Sequence, residues 1–204
     1  QNHNKDDWRN YSANLNYRFV IDTTGTEFTT DLDYANYGNK TDQNVDTNYG
    51  NYDGSAAPLP QRVHGDLQGD LNIYAVKSDF VTRFGKAKFE TGIKASYVEA
   101  DNDLQFFNRS SGNDVYDTNR SNHFIYKENI NAAYVNASRE FGKWNVQLGL
   151  RLENTNVSGE QLANNNSFDD SYTQLFPSAL VSYAFHPKHS LELNYSRRIQ
   201  RPGY

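Results

Sequence analysis

The chain has 204 residues, of which 36% are hydrophobic, and a mean hydropathy of −0.88, well below the apolar share of about 45–50% in an ordinary globular protein. It contains no Cys and no Met, carries a net charge of −5, and has 15 Tyr and 12 Phe against 2 Trp. These values exclude a disulfide scaffold, a thiolate metal site and a cysteine nucleophile, disfavour nucleic-acid binding, and leave no run of about 18 apolar residues for a membrane helix.

A membrane strand signals itself by alternation and not by a run, and alternation recurs along the chain. A first strand is predicted at about 9–20, with Ala13, Leu15, Tyr17 and Phe19 against Asn14, Asn16 and Arg18. A second, at 26–37, sets Phe28, Leu32 and Tyr34 against Thr29, Asp31 and Asp33. The third, at 67–83, changes face from Leu71 and Ile73 to Val76 and Phe80, which predicts a bulge. The fourth, at 88–100, has Glu90 and Lys94 on its polar side. In the fifth, at 124–140, Ile130/Ala132/Tyr134 and Ala133/Val135/Ala137 are both candidate outer faces. The sixth, at 144–157, alternates Trp144, Val146, Leu148, Leu150 and Leu152 with Asn145, Gln147, Gly149, Arg151 and Glu153. Two more follow at 173–185 and 190–200, the last with Glu192 and Asn194 opposite Leu191, Leu193 and Tyr195.

The connections alternate between short ones (22–25, 85–87, 142–143 and 186–189) and long ones (38–66, 101–123 and 158–172). A soluble sandwich has no reason to keep its long loops at one end, whereas an outer-membrane barrel does. Phe19, Phe84, Phe89, Phe141, Trp144, Tyr183 and Phe185 lie beside the short turns, where a lower aromatic girdle belongs. Tyr37, Tyr97, Phe124, Tyr126 and Tyr172 lie toward the long connections, where an upper one belongs. The expected fold is therefore all-β: an antiparallel up-and-down transmembrane barrel in contact with outer-membrane lipid. About eight strands are visible, as part of a larger barrel. The whole of 1–204 reads as barrel segment, and a first residue other than Met predicts that it starts inside a longer product. The polar faces predict a wet lumen lined by Asn14, Asn16, Arg18, Asp31, Asp33, Glu90, Lys94, Asn145, Gln147, Arg151, Glu153, Glu192 and Asn194.

The last forty residues carry a more specific pattern. Leu175-Phe176-Pro177-Ser178 opens one strand, and a short turn leads to Tyr195-Ser196-Arg197-Arg198-Ile199, then Arg201, Pro202 and Tyr204. This stretch resembles the TonB-dependent receptor-like outer-membrane barrel family of Bacteroidota, in which those motif residues are structural. The resemblance implies a barrel of about 22 strands, a plug domain, energy drawn from TonB, an unidentified nutrient ligand and, in some members, a surface lipoprotein partner. The function it implies is binding of a nutrient at long extracellular loops and its import across the outer membrane. Tyr49 and Tyr52 are candidate stacking contacts for that ligand. A small self-closed eight-stranded structural or adhesive barrel, and a soluble carbohydrate-binding β-domain, are the alternatives.

No enzymatic constellation or cofactor motif emerges. Asp42 to Asn48 places oxygen ligands at alternate positions, but Thr47 replaces the glycine a Ca²⁺ loop needs and Asp53 stands where its glutamate belongs. A solvated external loop is the better reading, and also for Asp101-Asn102-Asp103. His186-Pro187-Lys188-His189 reads as a tight turn and not as a metal pair, while His64 and His123 are expected singly in loops. Arg197, Arg198 and Arg201 read as structural cations that pair with lumen acids or lipid headgroups, not as a substrate clamp.

Overall fold

A computed structural model of the protein describes residues 2–50 and 60–199. Among them every strand joins one antiparallel sheet, and none is helical. The strands are β1 (Asn2–Val20), β2 (Glu27–Thr47), β3 (Gln61–Phe84), β4 (Ala87–Asn108), β5 (Val115–Tyr116), β6 (Asn122–Phe141), β7 (Trp144–Gln161), β8 (Asn166–His186) and β9 (His189–Ser196). The order is β1-β2-β3-β4-β6-β7-β8-β9, with the two-residue β5 attached to β4 alone. Neighbours in sequence are thus neighbours in space, the up-and-down arrangement that alternation and tight turns favour. β1 and β9 are the two edges and do not pair, so the sheet is open and does not close on itself as an eight-stranded barrel. No second layer of described residues covers it, as a soluble sandwich would require.

The short turns at one end form as their residues dictate. Gly25, Gly85 and Gly142 occupy positive φ (97°, 61° and 62°), which L-residues adopt at a cost. In the first turn Asp22 Oδ1 accepts from the Thr24 hydroxyl (2.6 Å), the Thr24 amide (2.8 Å) and the Thr26 amide (3.0 Å). Those donors, the Thr24 hydroxyl foremost, hold the Asp22 carboxyl well below the usual carboxylate range.

Several sequence expectations change. No bulge interrupts β3: its ladder runs unbroken from Glu27↔Val81 to Thr47↔Gln61 on one side and from Phe84↔Ala87 to Val63↔Asn108 on the other. Leu71 and Ile73 simply occupy the opposite face from Tyr74, Val76 and Phe80. The ambiguity in β6 resolves to Ala133/Val135/Ala137, which pair across to Ile93, Leu152, Leu150 and Leu148. Most of the expected long loops are strand. β2, β3 and β4 run on through 38–47, 61–66 and 101–108, and the connection 158–172 contracts to a turn at 162–165 with Asn165 at φ 58°.

The last strand ends at Ser196, short of the expected 200. Pro177 explains this. Its carbonyl accepts from the Arg197 amide (3.2 Å), but proline has no N–H to return the bond, so the ladder stops there.

Glycines opposite aromatics stitch the sheet on one face. Gly92 faces Tyr134, Gly159 faces Phe168 and Gly65 faces Phe106 across neighbouring strands. A Cβ on Gly92 would lie 2.6 Å from the Tyr134 ring and 2.5 Å from Asp79 Oδ1, so the missing side chain is what lets the ring lie flat on the sheet. From there the Tyr134 hydroxyl reaches Asp79.

Candidate functional site

Residues paired across a ladder share a face, so the register divides the sheet into two. One face collects Leu15, Leu32, Val76, Ile93, Val135, Leu150 and Leu193. Its side chains stand free: Trp144 is 48% exposed, Leu148 57% and Leu152 50%. The other face is the crowded, concave one, for Val98, Ala100, Ala132, Asp79, Glu128, Glu153 and Thr155 are all buried there. A water-soluble protein rarely leaves an apolar surface this wide uncovered.

Six of the seven residues expected in the lower girdle, all but Phe185 at the irregularity between Ala184 and His186, stand on the apolar face, where Trp144 packs on Tyr183 (4.5 Å between ring centroids), Phe84 on Phe89 (5.8 Å), and Arg139 over the Phe141 ring (4.7 Å). The upper girdle differs from expectation. Of the five residues expected, only Tyr97 points outward; the register puts Tyr37, Phe124, Tyr126 and Tyr172 on the concave face. The outward row is instead Tyr34, Tyr74 and Tyr97, directly opposite one another, with centroids 5.0 and 6.4 Å apart. Distance from the strand end was a sufficient guide at the tight turns but not where strands continue beyond the belt.

The belt also reports a tilt. The Tyr34 row meets Asn156 in β7, yet the outward apolar side chains of β7 stop at Leu152, four positions lower. Four residues are about 13 Å of strand and the four strand spacings from β2 to β7 about 19 Å, giving a slope of about 35°. Strands of membrane barrels tilt by about 35–45°.

The concave face holds all thirteen residues expected to line a lumen. Asn14 donates to Asp33 (2.7 Å), Asn16 to Asp31 (2.6 Å) and Arg18 to Glu27 (2.5 Å). Lys77 pairs with Asp79 (2.6 Å) and Arg151 with Glu153 (2.8 Å). These pairs occupy the half nearest the tight turns. Higher up, the same face turns aromatic and amide-rich around an open cleft of about 310 Å³ that includes Trp8, Asn10, Tyr37, Asn39, Gly69 and Asn102. Sequence reasoning missed this cleft because it took 38–66 and 101–123 as loops.

At the far end Arg109 fastens the connection 109–121 to the sheet. It donates to Asn44 (2.7 Å), to His64 Nδ1 (3.0 Å) and to Asp114 (3.0 Å), and His64 Nε2 bonds Asp42 (3.2 Å). Arg109 holds the Asp114 carboxyl below the usual carboxylate range. His64 and His123 are therefore strand residues with partners, not lone loop residues; His123 bonds Asp101 at 2.7 Å.

The run at Asp42 and that at Asp101 to Asp103 likewise belong to strands β2 and β4, and Asp53 lies outside the described residues. No group of three acidic or histidine side chains among the described residues could hold a metal. His186 Nδ1 accepts the Lys188 amide within the turn (3.2 Å). Tyr49 donates to Gln61 (3.2 Å), while Tyr52, Arg201, Pro202 and Tyr204 lie outside the described residues. Of the motif residues that are described, Arg197 donates to the Leu175 carbonyl (3.1 Å), Arg198 borders a concave cleft with Glu90 and Asn194, Phe176 faces Arg151, and Pro177 faces Leu150.

The model of the outer membrane protein β-barrel family matches residues 20–204. Among solved structures the chain is similar to the ferric citrate transporter FecA in its unliganded form (15% identity, TM-score 0.61, covering 92% of this chain and 27% of that one). It is also similar to the siderophore receptor PiuA from Acinetobacter baumannii (12%, 0.62, 94% and 32%) and to the copper transporter OprC (13%, 0.64, 98% and 32%). The chain thus spans about a third or less of the length of these proteins, and at such identities the likeness is one of fold. No curated protein sequence matches it.

Proposed function

This chain belongs to the outer membrane protein β-barrel family and resides in the bacterial outer membrane, and we propose that it is a wall segment of a TonB-dependent receptor that binds a nutrient at its outer end and imports it. One observation carries the reading: a single sheet with an uncovered apolar belt on one face, bounded by aromatic rows, and a polar concave face behind it. In lipid every backbone N–H and C=O must be paired within the protein. The unpaired edges of β1 and β9 therefore continue into further strands of a barrel of about 22. The ion-paired lower half of the concave face supports a plug against the wall, and transport past that plug draws on TonB. The closing motif from Tyr195 supports the Bacteroidota branch of such receptors.

The test is membrane fractionation of the full-length protein, its heat-modifiable migration, and growth on candidate nutrients with and without TonB. The reading expects an outer-membrane, heat-modifiable protein whose gene and TonB are needed for the same nutrient. A soluble protein, or uptake indifferent to TonB, would overturn it.

A further inference from the structure

The concave face is divided by charge. Its basic strand residues (Arg18, Lys77, Arg83, Lys88, Lys94 and Arg151) lie at or below the row that joins Asp31, Lys77 and Lys94. Above that row no described strand residue on this face is Lys, Arg or His. The basic residues at that height, among them Arg9, Lys40, Arg62, His64 and Lys127, occupy the outer face. Arg109 turns to the same side to reach Asn44 and His64. The upper concave face does carry acids, Asp6, Asp33, Glu128 and Asp170.

The rest of that wall is rings and amides. Trp8 and Tyr37 border the cleft with Asn10, Asn39 and Asn102. Trp8 stands on β1 and Tyr37 on its neighbour β2, both on the concave side of the register. Asn39 is folded over Gly69, where a side chain would meet its Oδ1. Phe124 and Tyr126 continue the aromatic lining on β6.

Resting on the receptor reading, we infer that the upper concave wall binds a neutral oligosaccharide. Against the described strands of this wall an anionic chelate would meet carboxylates and no strand cation, a locally repulsive field. A neutral sugar ring offers C–H faces to Trp8 and Tyr37 and hydroxyls to amides that both donate and accept. Aromatic faces beside a small set of placed amides are the usual makings of a site that orients a small molecule.

The experiment is calorimetric titration of the full-length receptor in detergent. The probes are neutral gluco-, manno- and xylo-oligosaccharides of several lengths, with polyuronate oligosaccharides and ferric citrate as anionic counterparts. Heat-modifiable migration confirms that each variant is folded. The inference expects at least one neutral oligosaccharide to bind and the anionic probes not to. Trp8→Ala and Tyr37→Ala should each weaken that binding about tenfold, as loss of an aromatic contact does, while Tyr11→Ala on the outer face leaves it unchanged. Asn102→Lys should weaken the sugar and admit ferric citrate. Preference for ferric citrate or polyuronate in the natural chain would overturn the inference and leave the receptor reading standing. No binding by any probe would overturn the inference, and TonB-independent growth beside it would remove the receptor reading too.

Discussion

At the scale of residues, a few side chains fix the ends of the sheet. Asp22 gathers three donors in the first tight turn. Its folded-state carboxyl titrates below the unfolded value of about 3.9, so its contribution is complete above that pH and drains away only in stronger acid. The hairpin β1–β2 should thus be indifferent to pH between 5 and 8. Asp22→Ala should speed amide exchange at Thr24 and Thr26 at neutral pH, and equal exchange rates in both proteins would refute this role. At the opposite end Arg109 joins side chains of two strands, Asn44 on β2 and His64 on β3, to Asp114. Arg109→Ala should expose 109–121 to protease on intact cells while the barrel still migrates as folded; unchanged resistance would show that the segment is held by other means. These roles were not legible in the sequence. Asp22 is one acid among 25 acidic residues, and His64 looked solitary because its partners, Asp42 and Arg109, stand 22 and 45 residues away. That the polar residues from Asn14 to Asn194 share one face of the sheet was legible, because alternation at period 2 states the face of a strand residue without knowledge of its neighbours.

At the scale of elements, lipid imposes alternation and water does not. Between the girdles one face must be apolar, so Trp144 to Leu152 announces its own orientation. Beyond Tyr34 the outer face meets water and takes Lys40, Asp42 and Asn44. The pattern then vanishes while the ladder continues, held by cross-strand pairs such as Lys40 with Asp66 (3.2 Å) and Asn36 with Asp70 (2.8 Å). For that reason β2, β3 and β4 were legible only in part. The two faces of β7 make opposite predictions. Leu150→Lys should cost about 2–4 kcal/mol if it lies near the bilayer midplane, read as a lower urea midpoint in lipid vesicles, and Gln147→Lys should cost much less. Equal losses would mean that β7 is not lipid-facing on one side. Within the concave face, Tyr134→Phe removes the hydroxyl that reaches the buried Asp79. A loss of about 1–2 kcal/mol is expected for a buried acceptor deprived of a donor, with Lys77 still present at 2.6 Å. No loss would mean that Lys77 alone satisfies the carboxylate.

At the scale of the molecule, the parts agree on one geometry. An apolar belt with a slope of about 35° against the strand rows, tight turns at one end, and tall polar extensions at the other describe a barrel wall that stands above the membrane. The open edges at β1 and β9 require neighbours in lipid, and the division of the concave face into ion-paired and aromatic halves is consistent with the plug and ligand proposed above. The chain has no cysteine of its own, which favours site-directed labelling. The most direct measurement is nitroxide scanning of residues 145–152 in the full-length protein in bilayers, with oxygen and a water-soluble nickel chelate as relaxants. The account predicts oxygen accessibility at 146, 148, 150 and 152 and nickel accessibility at 145, 147, 149 and 151. A profile without that two-residue period, or with its phase reversed, would contradict it.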